Sequence, residues 1–240
     1  MARSFATASS QYLSNATNIT GGVFTAAIWI YPLSSSANYA WMQQWNNIDG
    51  HKHWYLLTLS GAVYFGRSTD GIIAANIITA ANATADAWHS IVARFSNGVG
   101  WSVFLNGTKT DGTSPGTIFT GGTPGVTIGG MLNYAGYVNG RTAYAALWNE
   151  YLTDDECLSY HRGFHPRHIR VNNLIAQWDM GGHWGRNDLD PVGGYHMTAN
   201  NSPTFADSPR VYYPSPVVLP PRVVAAATNR RRRIICGSQC

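Results

Sequence analysis

The sequence predicts an all-β protein: a two-sheet antiparallel sandwich with one short helix and an extended C-terminal arm. Three observations predict it. Apolar and polar residues alternate with a period of two in run after run, as in strands with two unlike faces. Gly, Asn, Asp and Ser clusters separate those runs at close intervals. Charge is sparse at 12%, while 25 Gly, 9 Trp and 13 Tyr suit tight turns around an aromatic interior. With 240 residues, 45% of them hydrophobic, the chain can bury a full core.

The elements follow in order. In VFTAAIWIYP (23–32), Phe24, Ala26, Ile28 and Ile30 share one face, and Thr25, Ala27, Trp29 and Tyr31 the other. Pro32 ends the run, because it has no N–H for a ladder. HWYLLTL (53–59), AVYFGRS (62–68) and IIAANIIT (72–79) come next, divided by Ser-Gly and Asp-Gly turns. AWHSIVARFSNGVGWSVFLNGTKT (87–110) is a strand pair around Ser96-Asn97-Gly98. Ile91, Ala93 and Phe95 face one way, and Trp88, Ser90, Val92 and Arg94 the other. Trp101, Val103 and Leu105 alternate with Ser102, Phe104 and Asn106. Asn106-Gly107 suits a type I′ turn, whose two central residues need positive φ. VTIGG (126–130), RTAYAALW (141–148) and LIAQWDM (174–180) are further strands.

TDDECLSYHRGF (153–164) is the one helix. Thr153 and Glu156 form a capping box, and Asp154 and Asp155 favour the positive end of the dipole. His161 and Arg162 fall at the far end, and Gly163 is the stop before Pro166. A helix this short is expected across one edge or end of the sandwich.

Domain organisation follows composition. Residues 1–180 are the sandwich, 181–213 a Gly/Asn-rich segment wrapping back over it, and 214–240 a Pro/Arg-rich arm without a core of its own. Residues 1–209 carry eight Arg and two Lys against twelve acids, while 210–240 carry six Arg and no acid. Basic character is therefore confined to Arg210, Arg222, Arg230, Arg231, Arg232 and Arg233. Three cysteines, Cys157, Cys236 and Cys240, do not make a disulfide framework, and a reduced state is expected. MARSFATASS shows no apolar stretch of the secretory kind, and no run reaches the length of a membrane span.

Several pieces together resemble a known family. They are FATASSQYLS (5–14), FTAAIWIYP (24–32), the Trp-His-x-Ile-Val-Ala-x-Phe run closing on Phe-Leu-Asn-Gly, and NGRTAYAALWNEYLTDDECLSYHRGF (139–164). In this order they resemble the laminin-G-like, concanavalin A-like jelly-roll domains, of a type found in phage virion proteins, with 5–14 looking like the family's first strand. The resemblance covers roughly residues 3–180 and speaks to fold more than function, because this sandwich hosts lectins, adhesins, glycosidases and structural modules.

Glycoside hydrolysis needs a carboxyl pair about 5–5.5 Å apart for retention. The chain has two glutamates; Glu156 belongs to the capping box and Glu150 has no acid two residues away. No enzyme is expected. His161, His165 and His168 are spaced like metal ligands, but Gly163 and Pro166 break the helix that would align them. The resemblance implies that calcium can sit at a loop edge, and Asp179, Asp188 and Asp190 are the candidate ligands. Cys157 lies near a helix N-terminus but has no readable base, so a packed thiol is expected. Trp41, Trp45, Trp54, Tyr134, Tyr137 and Trp184 lie in or near loops. Of these, Trp41, Trp45 and Trp184 are the candidates for stacking on a sugar. Nucleic acid is not indicated, because no aromatics interleave the Arg run.

A Pro/Arg-rich arm frays unless something holds it. The expected function is therefore a non-enzymatic virion component, a phage capsid decoration or fibre-type protein. Its arm, through Arg222 and Arg230, Arg231, Arg232 and Arg233, would dock on the major capsid protein or on neighbouring copies. The alternative is a carbohydrate-binding adhesin whose partner is a cell-surface glycan. A glycoside hydrolase comes third.

Overall fold

The computed structural model describes residues 2–74, 76–113, 116–131, 136–180 and 189–212. Fifteen strands and one α-helix are found among them. The strands are β1 (Ala2–Phe5), β2 (Tyr12–Asn15), β3 (Val23–Pro32), β4 (Tyr39–Trp45), β5 (Lys52–Leu59), β6 (Ala62–Arg67), β7 (Asn76–Asn82) and β8 (His89–Ser96). They continue as β9 (Gly100–Leu105), β10 (Thr108–Asp111), β11 (Val126–Ile128), β12 (Gly140–Trp148), β13 (Leu174–Trp178), β14 (Thr198–Asn200) and β15 (Thr204–Ala206). The helix α1 spans Asp154–His161.

The strands form two antiparallel sheets. Sheet A runs β10-β9-β8-β3-β12-β1-β15, with β13 pairing the distal half of β12. Sheet B runs β14-β2-β11-β4-β5-β6-β7. This is the two-sheet sandwich of jelly-roll type that the alternation predicts. The core between the sheets takes the inward set read from the sequence: Phe24, Ala26, Ile28 and Ile30 from β3; Ile91, Ala93 and Phe95 from β8; Trp101, Val103 and Leu105 from β9. Sheet B supplies Trp41, Trp54, Leu56, Val63 and Phe65. Each large apolar side chain fully buried here stabilises the fold by roughly 1.5–3 kcal/mol before its entropy cost.

Local signals hold in detail. Asn106 and Gly107 have φ of 51° and 80°, as a type I′ turn requires, and join β9 to β10. Thr153 caps α1, with both halves of its capping box to Glu156 formed, and Gly163 follows with φ 89°.

The structure differs from expectation in four places. First, α1 lies on the outer face of sheet A, not at an edge or end. Cys157 and Tyr160 pack there on Trp29, Val92, Phe104 and Tyr144. The outward residues of β3, β8 and β9 are themselves apolar and need a cover. Arg94 fixes the arrangement: its Nε donates to Ser102 Oγ, and its terminal nitrogens reach the Leu152 carbonyl and Asp154. Second, residues 5–14 are not one strand. They end β1 in sheet A, turn through Thr7–Ser9, and enter β2 in sheet B. Third, Thr198–Asn200 and Thr204–Ala206 each add a strand to the sandwich, because β14 pairs with β2 and β15 with β1. Fourth, residues 72–74 precede β7 as a turn held by Asp70, whose Oδ1 accepts the N–H groups of Ile72 and Ile73. Among the described residues no helix is long and apolar enough to cross a membrane.

Candidate functional site

Sheet A is covered on both faces. Among the described residues, no helix lies on the outer face of sheet B. By alternation along β4, β5 and β6, that face presents Trp45, Tyr55, Leu57 and Tyr64, which cluster with Ala40 and Met131. Trp45 and Tyr55 meet edge to face, with ring centroids 5.0 Å apart. Tyr55 lies directly over Gly66 of β6, where a Cβ would fall 2.1 Å from the ring. Burial, with Tyr64 adding a smaller push, raises the Tyr55 hydroxyl to about 12. Gln43 lies on the same face, fully buried. Its Nε2 donates to Thr127 Oγ1 (2.7 Å) and to the Gly130 carbonyl (2.6 Å). Its Oε1 has no hydrogen-bond partner.

A cleft opens where β2, β11 and β4 end together. The registers Asn15↔Val126 and Thr127↔Gln43 align those ends. The cleft measures about 240 Å3 and is lined by Ser14, Asn15, Ala16, Asn46, Thr123 and Gly125. Ser14 Oγ accepts from Asn200 Nδ2, so its proton points elsewhere. Asn15 is fixed on both sides: Oδ1 accepts the Thr17 N–H, and Nδ2 donates to the His196 carbonyl. Asn46 directly follows Trp45, so the cleft abuts the aromatic cluster. The lining is neutral, with hydroxyls and amides that both donate and accept. That chemistry suits a polyhydroxylated ligand.

The sequence candidates divide. Trp41 is wholly buried in the core, and its Nε1 donates to Thr58 Oγ1 at 3.1 Å. It presents no ring to a sugar, which corrects that expectation. The cause is a bulge in β4 between Ala40 and Met42, which turns both Trp41 and Met42 inward. Trp45 belongs to the outer-face cluster, but only 6% of it is exposed. Trp41 lies within β4, and Trp45 ends it, next to the turn at 47–50. Trp184, Asp188, Arg222, Arg230, Arg231, Arg232 and Arg233 lie outside the described residues, as do Tyr134, Cys236 and Cys240.

Of the calcium candidates, Asp179 and Asp190 are described, and both carboxylates are engaged by the protein's own donors. Asp190 is buried, and its carboxylate accepts four backbone N–H groups, from Gln177, Val192, Gly193 and Tyr195. It pins a loop instead. Asp179 Oδ1 is 2.9 Å from His165 Nε2 and also accepts from Gln177 Nε2. Burial works to raise the Asp179 carboxyl, but these hydrogen bonds and the charges of His165 and Arg167 outweigh it and hold it below its usual value. Among the described residues, no three His, Cys, Asp or Glu side chains gather as a metal group. His161 lies against Trp29 and contacts Ser90 Oγ, away from the His165–Asp179 pair. Cys157 is packed under α1, and burial pushes its thiol up to about 12. Glu156 is spent on its cap and on Arg170.

Sequence reasoning missed the residues that form the cleft. Ser14 and Asn15 end β2, Asn46 follows β4 and Thr123 precedes β11; these segments are far apart in the chain, and no local pattern marks them.

Fold and cleft together define a concanavalin A-like sandwich with a neutral, polar end cleft. Residues 5–157 match the family model Laminin_G_3, described as concanavalin A-like lectin/glucanases superfamily. The chain belongs to this family. Among solved structures it is similar to a protein from Bacteroides ovatus ATCC 8483 that is assigned as a candidate carbohydrate binder. That match has 16% identity and a TM-score of 0.64, and covers 85% of this chain. The chain spans 58% of the length of the Bacteroides protein. It is also similar to the heptameric SAP-like pentraxin of Limulus polyphemus, with 13% identity and a TM-score of 0.54, covering 81% of this chain and 87% of that one. These likenesses show the fold. A comparison with curated protein sequences gives no match.

Proposed function

We propose that the chain is a non-catalytic glycan-binding module, and that the saccharide occupies the cleft at Ser14, Asn15, Asn46 and Thr123. The observation that carries this reading is the cleft's lining of neutral hydroxyls and amides beside the Trp45–Tyr55 cluster. Such groups exchange hydrogen bonds with sugar hydroxyls. Membership of a lectin-containing superfamily and the candidate role of the Bacteroides protein point the same way. The engagement of Glu156 in its cap and with Arg170 supports the absence of a catalytic step.

The test is a glycan array followed by titration of neutral oligosaccharides on the full chain. Thr123→Val and Asn46→Ala are expected to weaken binding by about tenfold each, the cost of a hydrogen bond left unmade. Thermal stability should not change. Silence across the array would sink the reading. The virion reading rests on residues 214–240, outside the described part, and the comparisons say nothing of phage particles. It stands as an expectation from composition, tested by asking whether a chain ending at residue 213 still enters particles.

A further inference from the structure

A second cleft, of different chemistry, follows α1 on the side of sheet A. Two successive 3-10 turns, Pro166–His168 and Val171–Asn173, build it. Between them Ile169 drops into the cluster on the outer face of sheet A, and its carbonyl accepts Trp148 Nε1 at 2.8 Å. The chain then reverses through Arg170 in left-handed backbone, with φ 40° and ψ 57°. A long side chain adopts that conformation only where the surrounding structure enforces it. The result is a cleft of about 460 Å3 lined by Arg167, His168, Arg170, Val171, Asn172 and Asn173.

The two arginines are held in the same way. Arg167 Nε donates to Gln177 Oε1 at 3.0 Å, and Arg170 Nε donates to Glu156 Oε1 at 2.7 Å. Gln177 is buried, and Glu156 is itself tied into the cap of α1, so both anchors are rigid. Each guanidinium is gripped by its inner nitrogen. The terminal nitrogens of both have no partner among the described residues. A guanidinium fork in this state offers paired N–H donors to a planar or tetrahedral oxyanion. Glu156 balances Arg170, and Asp179 lies within electrostatic reach of Arg167, so the cleft offers an oxyanion paired N–H donors rather than a large excess of positive charge.

We propose that this cleft is an oxyanion site that takes a carboxylate or sulfate group through Arg167 and Arg170. The group could come from an acidic substituent on a saccharide or from a free ion; the chemistry is shared, and the test separates the sources. The proposal does not rest on the neutral cleft of sheet B, because it has its own residues and lies on the other sheet.

The experiment is a 1H–15N NMR titration of the labelled full chain with sodium sulfate, at ionic strength held constant with chloride. Saturable shifts are expected at the amides of residues 167–173 and at the Nε–H of Arg167 and Arg170. Arg167→Gln should weaken sulfate binding by about tenfold or more, in a chain whose amide spectrum away from residues 165–179 shows it still folded. Arg170→Lys keeps the charge but loses the fork, and should weaken it similarly. Arg141→Gln removes a positive charge elsewhere, where Arg141 stacks on Tyr31, and should leave binding intact. The absence of saturable shifts would overturn the proposal, as would equal losses in Arg141→Gln and Arg167→Gln. A sulfated disaccharide that binds more tightly than inorganic sulfate, while its unsulfated parent does not shift these residues, assigns the group to a saccharide. Equal affinity for the two assigns the site to the free ion.

Discussion

The hydroxyl of Tyr160 donates a 2.8 Å hydrogen bond to the carbonyl oxygen of Tyr144. The helix thereby grips β12 at its bulge, where Tyr144 has φ 49° and the register with β3 shifts. Both residues are buried, and burial holds the Tyr160 hydroxyl well above its usual value, so it remains a donor at any working pH. Tyr160→Phe keeps the ring and removes the donor. Unfolding in urea should show a loss of about 1–3 kcal/mol, the cost of a buried acceptor left unmade. An unchanged midpoint would mean that the carbonyl finds another partner.

The backbone at Tyr144 predicts an inverted preference between two small residues. Tyr144→Ala and Tyr144→Gly both lose the ring contact with His165. Only alanine must still hold a Cβ in left-handed backbone. Tyr144→Gly should therefore be the more stable of the pair by about 1 kcal/mol, against the usual order in a strand. Equal denaturation midpoints would remove the argument for strain.

Asp190 separates a loop pin from a cation ligand. Asp190→Ala strips the acceptor from four backbone N–H groups and should cost roughly 2–4 kcal/mol. Calcium should leave the melting temperature of the unaltered protein where it is. A rise in melting temperature with calcium that Asp190→Ala abolishes would restore the ligand reading.

His53 gives the fold an acid-sensitive point. Its Nδ1 lies 2.8 Å from Gln44 Nε2, and its Nε2 lies 2.7 Å from the Gly121 carbonyl, so the ring is neutral with the proton on Nε2. Burial lowers its pKa and outweighs the Gly121 carbonyl, which raises it. The unfolded ring titrates near 6.5, so below that pH the unfolded chain binds the extra proton. The stability contribution of His53 is complete above about pH 6.5 and declines as pH falls toward its lower folded value. Burial depresses His161 in the same direction. Denaturation midpoints should fall as the pH drops below about 6.5, and less steeply in His53→Gln. An identical slope in that variant would contradict the assignment.

Gly66 is expected to tolerate no side chain while Tyr55 stays in place. A Cβ there would meet the Tyr55 ring at 2.1 Å, so Gly66→Ala should destabilise by about 1–3 kcal/mol. Combining it with Tyr55→Leu should recover part of that loss. Strict additivity in this double-mutant cycle would show that the ring is not what excludes the side chain.

Much of this protein follows from residues close together in sequence. The two faces of β3, β8 and β9 were legible because side chains alternate along a strand whatever it pairs with. The turn at Asn106-Gly107 and the cap at Thr153 were legible for the same reason, since each is satisfied within four residues. The two-sheet class, the core-facing set and the helix with its ends are thus properties of local sequence.

Only the tertiary structure decided the rest. Whether an outward face meets solvent or a helix depends on what packs over it, and that is how α1 came to lie on sheet A. A bulge inserts one residue and reverses every later side chain, so Trp41 went to the core while Trp45 stayed on the outer face. The partners of β14 and β15 lie near the other end of the chain, beyond any local signal. The two clefts are of the same kind. Ser14, Asn46 and Thr123 meet because three strand ends are in register. Arg167 and Arg170 turn outward because Gln177 and Glu156, one on a strand and one on the helix, hold each by its inner nitrogen.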